Sequence, residues 1–524
     1  MDVRRTLLVV AAFGSSWALA GAQGTWRVSI DSSGGQGNGW SYEAAISADG
    51  RFVAFASKSS NLVPGDTNGV DDAFVHDRQT GTTTCVSVSS AGGRGDDSSS
   101  GTSISADGRF VAFHSDATNL VAGDTNFVAD VFVHDRQTGT PTRVSVDSSG
   151  RQGDRHSLLP TISGDGRFVA FYSDSLNLVP GDTNGVMDVF VHDRQTGTTT
   201  RVSVDSSGSQ GDFDSGNTNT NASISADGRF VAFDSYATNL VSGDTNGRGD
   251  VFVHDRQTGA TTRASIASWG FQVNDHSSEP SISADGRFVA FASRASNLVP
   301  DDHNYVPDVF VHDRQSWTTT RVSVDSSGSQ GKYSSLAPSI SADGRFVAFY
   351  SYANNLVPGD TNSVSDVFVH DRQIGTTARV SVDSSGSQGD ESSFFPSISP
   401  DGRFVAFEGS NLVPGDTNGW LDVFVHGPYL TLEVIPETVA PGGSLVFTTW
   451  KGLVGGSALL YVVDLNGTPM FLRIWFGSFD ALGLFTASAA VPPGLSGSVL
   501  TFMVFGYAPN GKVDFTNREV VTFQ

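Results

Sequence analysis

A single cysteine, Cys85, stands in 524 residues, so no disulfide can close within the chain. It lies in Thr-Thr-Thr-Cys-Val-Ser-Val, where most matching segments elsewhere carry arginine, and reads as drift in one copy of a repeat rather than as a nucleophile. Positive charge is also scarce. Lys and Arg number 32 against 55 Asp and Glu, a formal net charge of −23. That excess repels nucleic-acid phosphates and anionic lipid surfaces and leaves cations, basic partners and neutral glycans as compatible ligands; solubility alone would also explain it. Helix-forming stretches rich in Ala, Leu, Glu and Lys are missing beyond the N-terminus, and Gly, Ser, Thr and Asp take their place, as in many short strands joined by turns.

Long apolar runs able to cross a bilayer are missing too, and only the start of the chain comes near one. There Arg4 and Arg5 precede a mostly apolar stretch, Leu7 to Ala20, with small-x-small cleavage patterns at Ala18-Leu19-Ala20 and Ala20-Gly21-Ala22. Residues 1–22 are expected to be a secretory signal peptide, too short for a membrane span. No cysteine follows it that could carry a lipid anchor. The mature chain is expected outside the cytoplasm: secreted, periplasmic or on the cell surface.

What is present is repetition. Asp-Gly-Arg-Phe-Val-Ala-Phe occurs seven times, with its Asp at 49, 107, 165, 227, 285, 343 and 401. One unit reads as a short strand Pro338–Ser341, a tight Asp343-Gly344 turn, a strand Arg345–Tyr350, a long loop, a strand Asp366–His370, a turn, and a strand Thr376–Val382. Four short antiparallel strands repeated seven times is the pattern of propeller blades. The second strands are apolar on both faces, as a blade packed between two neighbours requires. The seventh unit stops after its third strand at Val423-Phe424-Val425-His426, and Thr25-Trp26-Arg27-Val28-Ser29-Ile30-Asp31 matches the missing fourth. The strand Trp26–Ile30 is therefore expected to complete the seventh blade and remove the edge that an open array would leave. An all-β chain follows: a seven-bladed β-propeller over 23–427 closed by its N-terminal strand, then a small β-sandwich, Ig-like, over 428–524. Apolar runs separated by Pro-Gly and Asn-Gly turns give that tail about seven strands.

Ser-Ala-Asp-Gly-Arg-Phe-Val-Ala-Phe and Asp-Val-Phe-Val-His-Asp-Arg-Gln-Thr-Gly resemble the WD40-like propeller repeat of TolB-type proteins. Ser399-Pro400-Asp401-Gly402-Arg403 is similar to that pattern most closely, whereas most other copies carry Ala at the proline position. The resemblance covers about residues 25 to 427. It implies the fold, with blades that serve as protein-binding scaffolds or as appendages to peptidases. The chain departs from the family by its longer second loop.

Two turns of each blade are nearly identical copies and share one face. The second-to-third-strand loops and the blade-to-blade loops share the other, vary more, and are the better place for binding. Each of the former carries Asp-Thr-Asn-x-x-x-Asp, with His303 in the Thr position of the fifth. The copies are Asp66/Asn68/Asp72, Asp124/Asn126/Asp130, Asp182/Asn184/Asp188, Asp244/Asn246/Asp250, Asp302/Asn304/Asp308, Asp360/Asn362/Asp366 and Asp416/Asn418/Asp422. Oxygens at positions 1, 3 and 7 resemble the start of a Ca²⁺ loop, but position 5 carries no side-chain oxygen and position 12 is never Glu. The alternative is that these side chains shape the turn through local hydrogen bonds. No cofactor is required on this reading, and Ca²⁺ is the one candidate. Non-repeating aromatics fall on the same face: Trp40 and Trp420, expected near the junction of the seventh and first blades, and Trp269, Phe271, Tyr305, Phe127, Phe394 and Phe395. They suit a sugar ring or a protein anchor, or pack locally over a loop.

Seven histidines repeat in Phe-Val-His and read as frame. No serine elbow and no His-Glu-x-x-His zinc motif occurs, and no cluster of unique residues is evident around the channel. The expectation is a monomeric, non-enzymatic binding or scaffold protein with a protein or glycan ligand. A carbohydrate-binding or carbohydrate-active propeller is the alternative.

Overall fold

The computed structural model describes residues 24–216 and 221–428 in full and, outside them, only the backbone of eight strands. The chain divides into Thr25–His426 and a second unit of Met1–Gly24 with Gly427–Gln524.

Thr25–His426 is the seven-bladed propeller expected from the repeat. The first blade is built from Ser41–Ile46, Phe52–Ser57, Asp72–Asp77 and Thr82–Cys85, hydrogen-bonded in that order. The next five repeat this meander. The seventh is Phe394–Ile398, Val405–Gly409 and Asp422–Gly427, with Gly24–Arg27 as its outer strand. First strands of neighbouring blades touch all the way round, including the seventh against the first, so they surround the central axis.

The ring closes at the place expected, but the closing strand starts earlier: Gly24–Arg27, not Trp26–Ile30. The other fourth strands are equally short. Thr376–Arg379 ends three residues before the expected Val382, because Val380 N–H still reaches Val367 O while Ser381 turns its hydroxyl in to Asp366. First strands are longer than expected, as in Ser335–Ile340. A β-bulge interrupts the pairing between Leu336 and Ser339, which lets Pro338 lie in the strand without breaking the ladder.

Three repeated devices lock blade to blade. Each Asp-Gly turn has its Gly at positive φ, and a Cβ there would collide with a Phe of the preceding blade; Gly50 on Phe404 and Gly108 on Phe52 are examples. The arginine of the Asp-Arg-Gln turn lies over the same ring: Arg78 is 4.8 Å from the Phe404 centroid and Arg136 is 4.2 Å from that of Phe52. Backbone hydrogen bonds run from turn to turn, from Ala48 to Ala106, then Gly164, Ala226, Ala284, Ala342 and Pro400. Pro400 has no N–H to pass the series back to Ala48. The seam is otherwise packed as one core, with Val28, Ala406, Val423 and Val425 against Ile46, Val53, Phe55 and Phe74.

In the second unit, one sheet runs Val9–Val10, Leu484–Ala490, Ser444–Trp450, Leu432–Glu433; the other runs Leu472–Ser478, Ser457–Leu465, Val499–Tyr507, Val513–Thr522. Seven of these strands follow Pro428. The signal-peptide cleavage sites, and the packing that a sandwich would require, lie outside the described residues.

Candidate functional site at the channel mouth

The repeated polar residues build frame. Five of the Phe-Val-His imidazoles, such as His76 with Thr83 and His370 with Thr377, place Nδ1 2.9 Å from a Thr hydroxyl of the outer strand. That hydroxyl donates to a carbonyl preceding the blade, as Thr319 does to Ile266 O at 2.5 Å, so Nδ1 must be the donor to it. Thr25 makes the same link to His426 at 2.8 Å and to Val382 O, so the closing strand reproduces it. In the second blade Pro141 replaces the Thr, and His134 Nδ1 has no hydrogen-bond partner among the described residues. Burial pushes these rings down, His76 and His370 to about 4; they are neutral scaffold residues.

The Asp-Thr-Asn-x-x-x-Asp residues do come together in every blade, as a clasp closed by the chain itself. The second Asp is buried and accepts a Ser hydroxyl at 2.5–2.6 Å, as Asp72 does from Ser87 and Asp308 from Ser323. In six blades the outer-strand Arg points between the two carboxylates. Arg27 lies between Asp416 and Asp422, Arg143 between Asp124 and Asp130, and Arg201 between Asp182 and Asp188. Arg263 lies between Asp244 and Asp250, Arg321 between Asp302 and Asp308, and Arg379 between Asp360 and Asp366. Each guanidinium is 3.1–3.7 Å from both partners.

The asparagines are engaged by the chain in the same way. Asn68, Asn126, Asn184, Asn246, Asn304, Asn362 and Asn418 each donate their side-chain amide to a carbonyl of the blade-to-blade loop that follows, at 2.8–3.1 Å. The side-chain oxygen that a metal would need instead accepts the backbone N–H two residues on, at 2.9–3.4 Å. That is an Asx turn, and it ties the long loop to its neighbour. A Ca²⁺ ion needs six or more oxygens. In six blades a guanidinium already lies between the two carboxylates, and in all seven the Asn oxygen is already engaged. Among the described residues no group of three His, Cys, Asp or Glu side chains is placed to hold a metal.

The first blade departs from the pattern. Its arginine position is Cys85, and no ion pair reaches Asp66 or Asp72 among the described residues. Arg94 instead acts electrostatically on both Asp66 and Cys85. It stands where the six corresponding loops carry Gln36, Gln152, Gln210, Gln272, Gln330 and Gln388, and Gln36 and Gln272 reach Asp416 and Asp244 at 2.7 Å. The charge lost from the strand is restored from the loop. Burial pushes the Cys85 thiol up to about 12, far from a thiolate nucleophile.

The candidate aromatics are spread around the rim. Trp40 and Trp420 meet as expected, edge to face with centroids 5.6 Å apart, and remain 54% and 42% exposed. Trp269 and Phe271 are exposed on the loop between the fourth and fifth blades. Tyr305 and Phe127 are more than four-fifths exposed, at positive φ (58° and 57°), where four other blades carry Gly. No ring contact joins these four to the tryptophan pair among the described residues.

A cluster of unique residues does exist, contrary to the expectation from sequence. The residue that follows each copied Phe-Val-Ala-Phe block in the second strand varies among the blades: Ala56, His114, Tyr172, Asp234, Ala292, Tyr350 and Glu408. It sits at the strand end nearest the long loops. Across from it in the first strand is the bulge, whose residue holds positive φ: Glu43, Gly101, Leu159, Glu279, Ala337 and Phe395 in six blades. The two sets meet around the channel at one end. Tyr350 packs edge-on against Phe394 and Phe395, both at 5.5 Å. Phe394 pairs with Glu408 across the strands. Glu408 Oε1 accepts the Glu43 N–H at 2.7 Å, Glu43 accepts the Gly101 N–H, and Glu279 Oε2 accepts the Ala337 N–H at 2.6 Å. Burial holds Glu43 and Glu279 above the usual carboxylate range and, helped by the charge of Glu43, pushes Glu408 up to about 8. Burial takes His114 down to about 4. Variation at the one position after a copied block was the sequence signal for this site, and it hides inside a strand that reads as pure core.

No family model matches the sequence, and no curated protein matches it. Solved structures similar to it include a protein described as TolB from Agrobacterium tumefaciens, 15% identical, covering 66% of this chain and 94% of that one with a TM-score of 0.35. The periplasmic gluconolactonase of Pseudomonas aeruginosa is 19% identical, covering 67% and 90%, with a TM-score of 0.33. The WD40 repeats of RRP9 are 9% identical, covering 79% and 99%, with a TM-score of 0.39. The blade count rests on the strand pairing and not on these values.

Proposed function

We propose that this protein is an extracytoplasmic, non-enzymatic binding protein that receives its ligand on the long-loop face of the propeller. One observation carries the reading: in seven blades that copy one another, the residues that are not copied gather at the channel end of that face. The short-turn face carries the locking devices and little variation. The leader at residues 1–22 supports a place outside the cytoplasm. The Asp-Thr-Asn loops act in this reading as arginine-neutralised clusters that hold the loops in place.

Carbohydrate is the ligand class favoured by the exposed Trp40–Trp420 pair, whose edge-to-face rings offer an apolar platform beside polar loops. Screening the full chain against arrayed glycans and arrayed peptides, in parallel with Trp40→Ala/Trp420→Ala, tests the reading. The expected result is a ligand whose binding falls about tenfold or more in the double variant with the melting temperature unchanged. A ligand held equally well by both proteins would move the binding site off this part of the face.

A further inference from the structure

We propose that the channel mouth between the fifth and first blades takes a ligand carrying a positively charged nitrogen on an apolar stem, an ammonium or a guanidinium group. The proposal rests on the long-loop face being the binding face and adds the chemistry of what enters it.

Elsewhere in this propeller most buried carboxylates lie against an arginine. Six third-strand Asp residues, Asp77 to Asp371, each take a two-point contact from the Asp-Gly-Arg arginine; Arg51 reaches Asp77 at 2.8 and 2.7 Å. Six of the Asp-Thr-Asn clusters hold an arginine between their carboxylates, as Arg201 does for Asp182 and Asp188. Glu43, Glu279 and Glu408 break this rule. Each accepts one backbone N–H, and no ion pair reaches any of them among the described residues. Glu408 is only 4% exposed, and no hydrogen bond reaches its second oxygen among the described residues.

Two further features point to the same ligand. Phe395, 48% exposed and backed by the Tyr350 and Phe394 rings, presents an aromatic surface beside Glu408, which is how cations on apolar stems are held. Beyond Glu43, His114 Nδ1 is buried without a hydrogen-bond partner, over the Gly101 whose N–H holds Glu43. The ring is neutral, so with Nε2 donating to Ser100 Oγ at 3.1 Å, Nδ1 would accept a hydrogen bond from a bound nitrogen. The acidic whole concentrates cations at such a mouth.

Titration calorimetry of the full chain at about 0.15 M salt tests this with three probes: a short arginine-containing peptide, the same peptide with citrulline, and cadaverine. The arginine peptide or the diamine is expected to bind, which separates a protein ligand from a small amine, and the citrulline peptide is not. Glu408→Gln and Glu279→Gln are expected to weaken binding about tenfold or more, whereas Asp301→Asn, an exposed acid, leaves it unchanged. Should either Glu variant fail to fold, Phe395→Ala on the exposed ring is expected to weaken binding instead. Affinity, and with it the effect of Glu408→Gln, is expected to grow as pH rises through about 8, where Glu408 gives up its proton; Glu43, Tyr42 and Asp71 of the first blade, Tyr350 and Glu279 lie around it. Equal binding of the citrulline peptide, or no effect of the Glu and Phe variants, overturns the proposal. Silence of both cationic probes while an arrayed ligand still depends on Trp40 and Trp420 overturns it and leaves the face reading standing.

Discussion

Cys85 shows how one residue can mislead when read alone. From sequence it is a lost arginine; in the fold its charge returns as Arg94, nine positions on. The pairing was not legible beforehand, because only the folded loop brings the Gln position of one segment onto the carboxylates of another. Arg94→Gln should leave Asp66 and Asp72 buried without a nearby cation and cost about 2 kcal/mol, read as a lower urea midpoint. Cys85→Arg in that background should return most of the loss. If Arg94→Gln unfolds at the wild-type midpoint, the loop arginine has no such role. The same blindness hid Glu408. A residue between Phe407 and Gly409 in an apolar strand reads as core, and its difference from Tyr350 or Ala292 matters only once the seven strands are arranged around one axis.

At the scale of the strand, the repeat was legible because its apolar pattern and Asp-Gly turns are local signals. Strand ends were less so. The fourth strands stop early because a buried Ser–Asp hydrogen bond captures the chain after the arginine, and the first strands run long because a bulge absorbs a residue. Neither depends on hydrophobic periodicity. The closing strand shows the limits of both: its match to Thr-Thr-Arg-Val-Ser-Val was plain, yet the hydroxyl of Thr25, one residue before the expected start, carries the link to His426 and Val382. Removing residues 24–30 should therefore strip the seventh blade of its outer strand, its Arg27 clasp and Val28 of the seam core. The expected outcome is a protein that aggregates in size-exclusion chromatography and melts well below the full chain. A deletion variant that stays monomeric with an unchanged melting temperature would show that this strand does not hold the ring.

The propeller as a whole is held by devices that recur in nearly every blade. That has a direct consequence for metal dependence. Arginine already stands between the carboxylates of six blades, and Asn68 and its six counterparts spend their oxygens on the backbone. Chelator treatment should therefore leave the melting temperature within about 1 °C of the untreated protein, and millimolar Ca²⁺ should not raise it; a shift of about 4 °C or more, the size that 1 kcal/mol produces in a small domain, would mean that the ion displaces the guanidinium.

Closure by the first strand also fixes an order in time. Thr25 and His426 touch across 401 positions of chain. At about 5–20 residues per second of synthesis, the segment made first waits roughly 20–80 s for its partner. Through that interval it is a nascent strand with nothing to pair with. Its make-up, Gly-Thr-Trp-Arg in only four residues, is short and polar enough to wait without seizing the wrong edge.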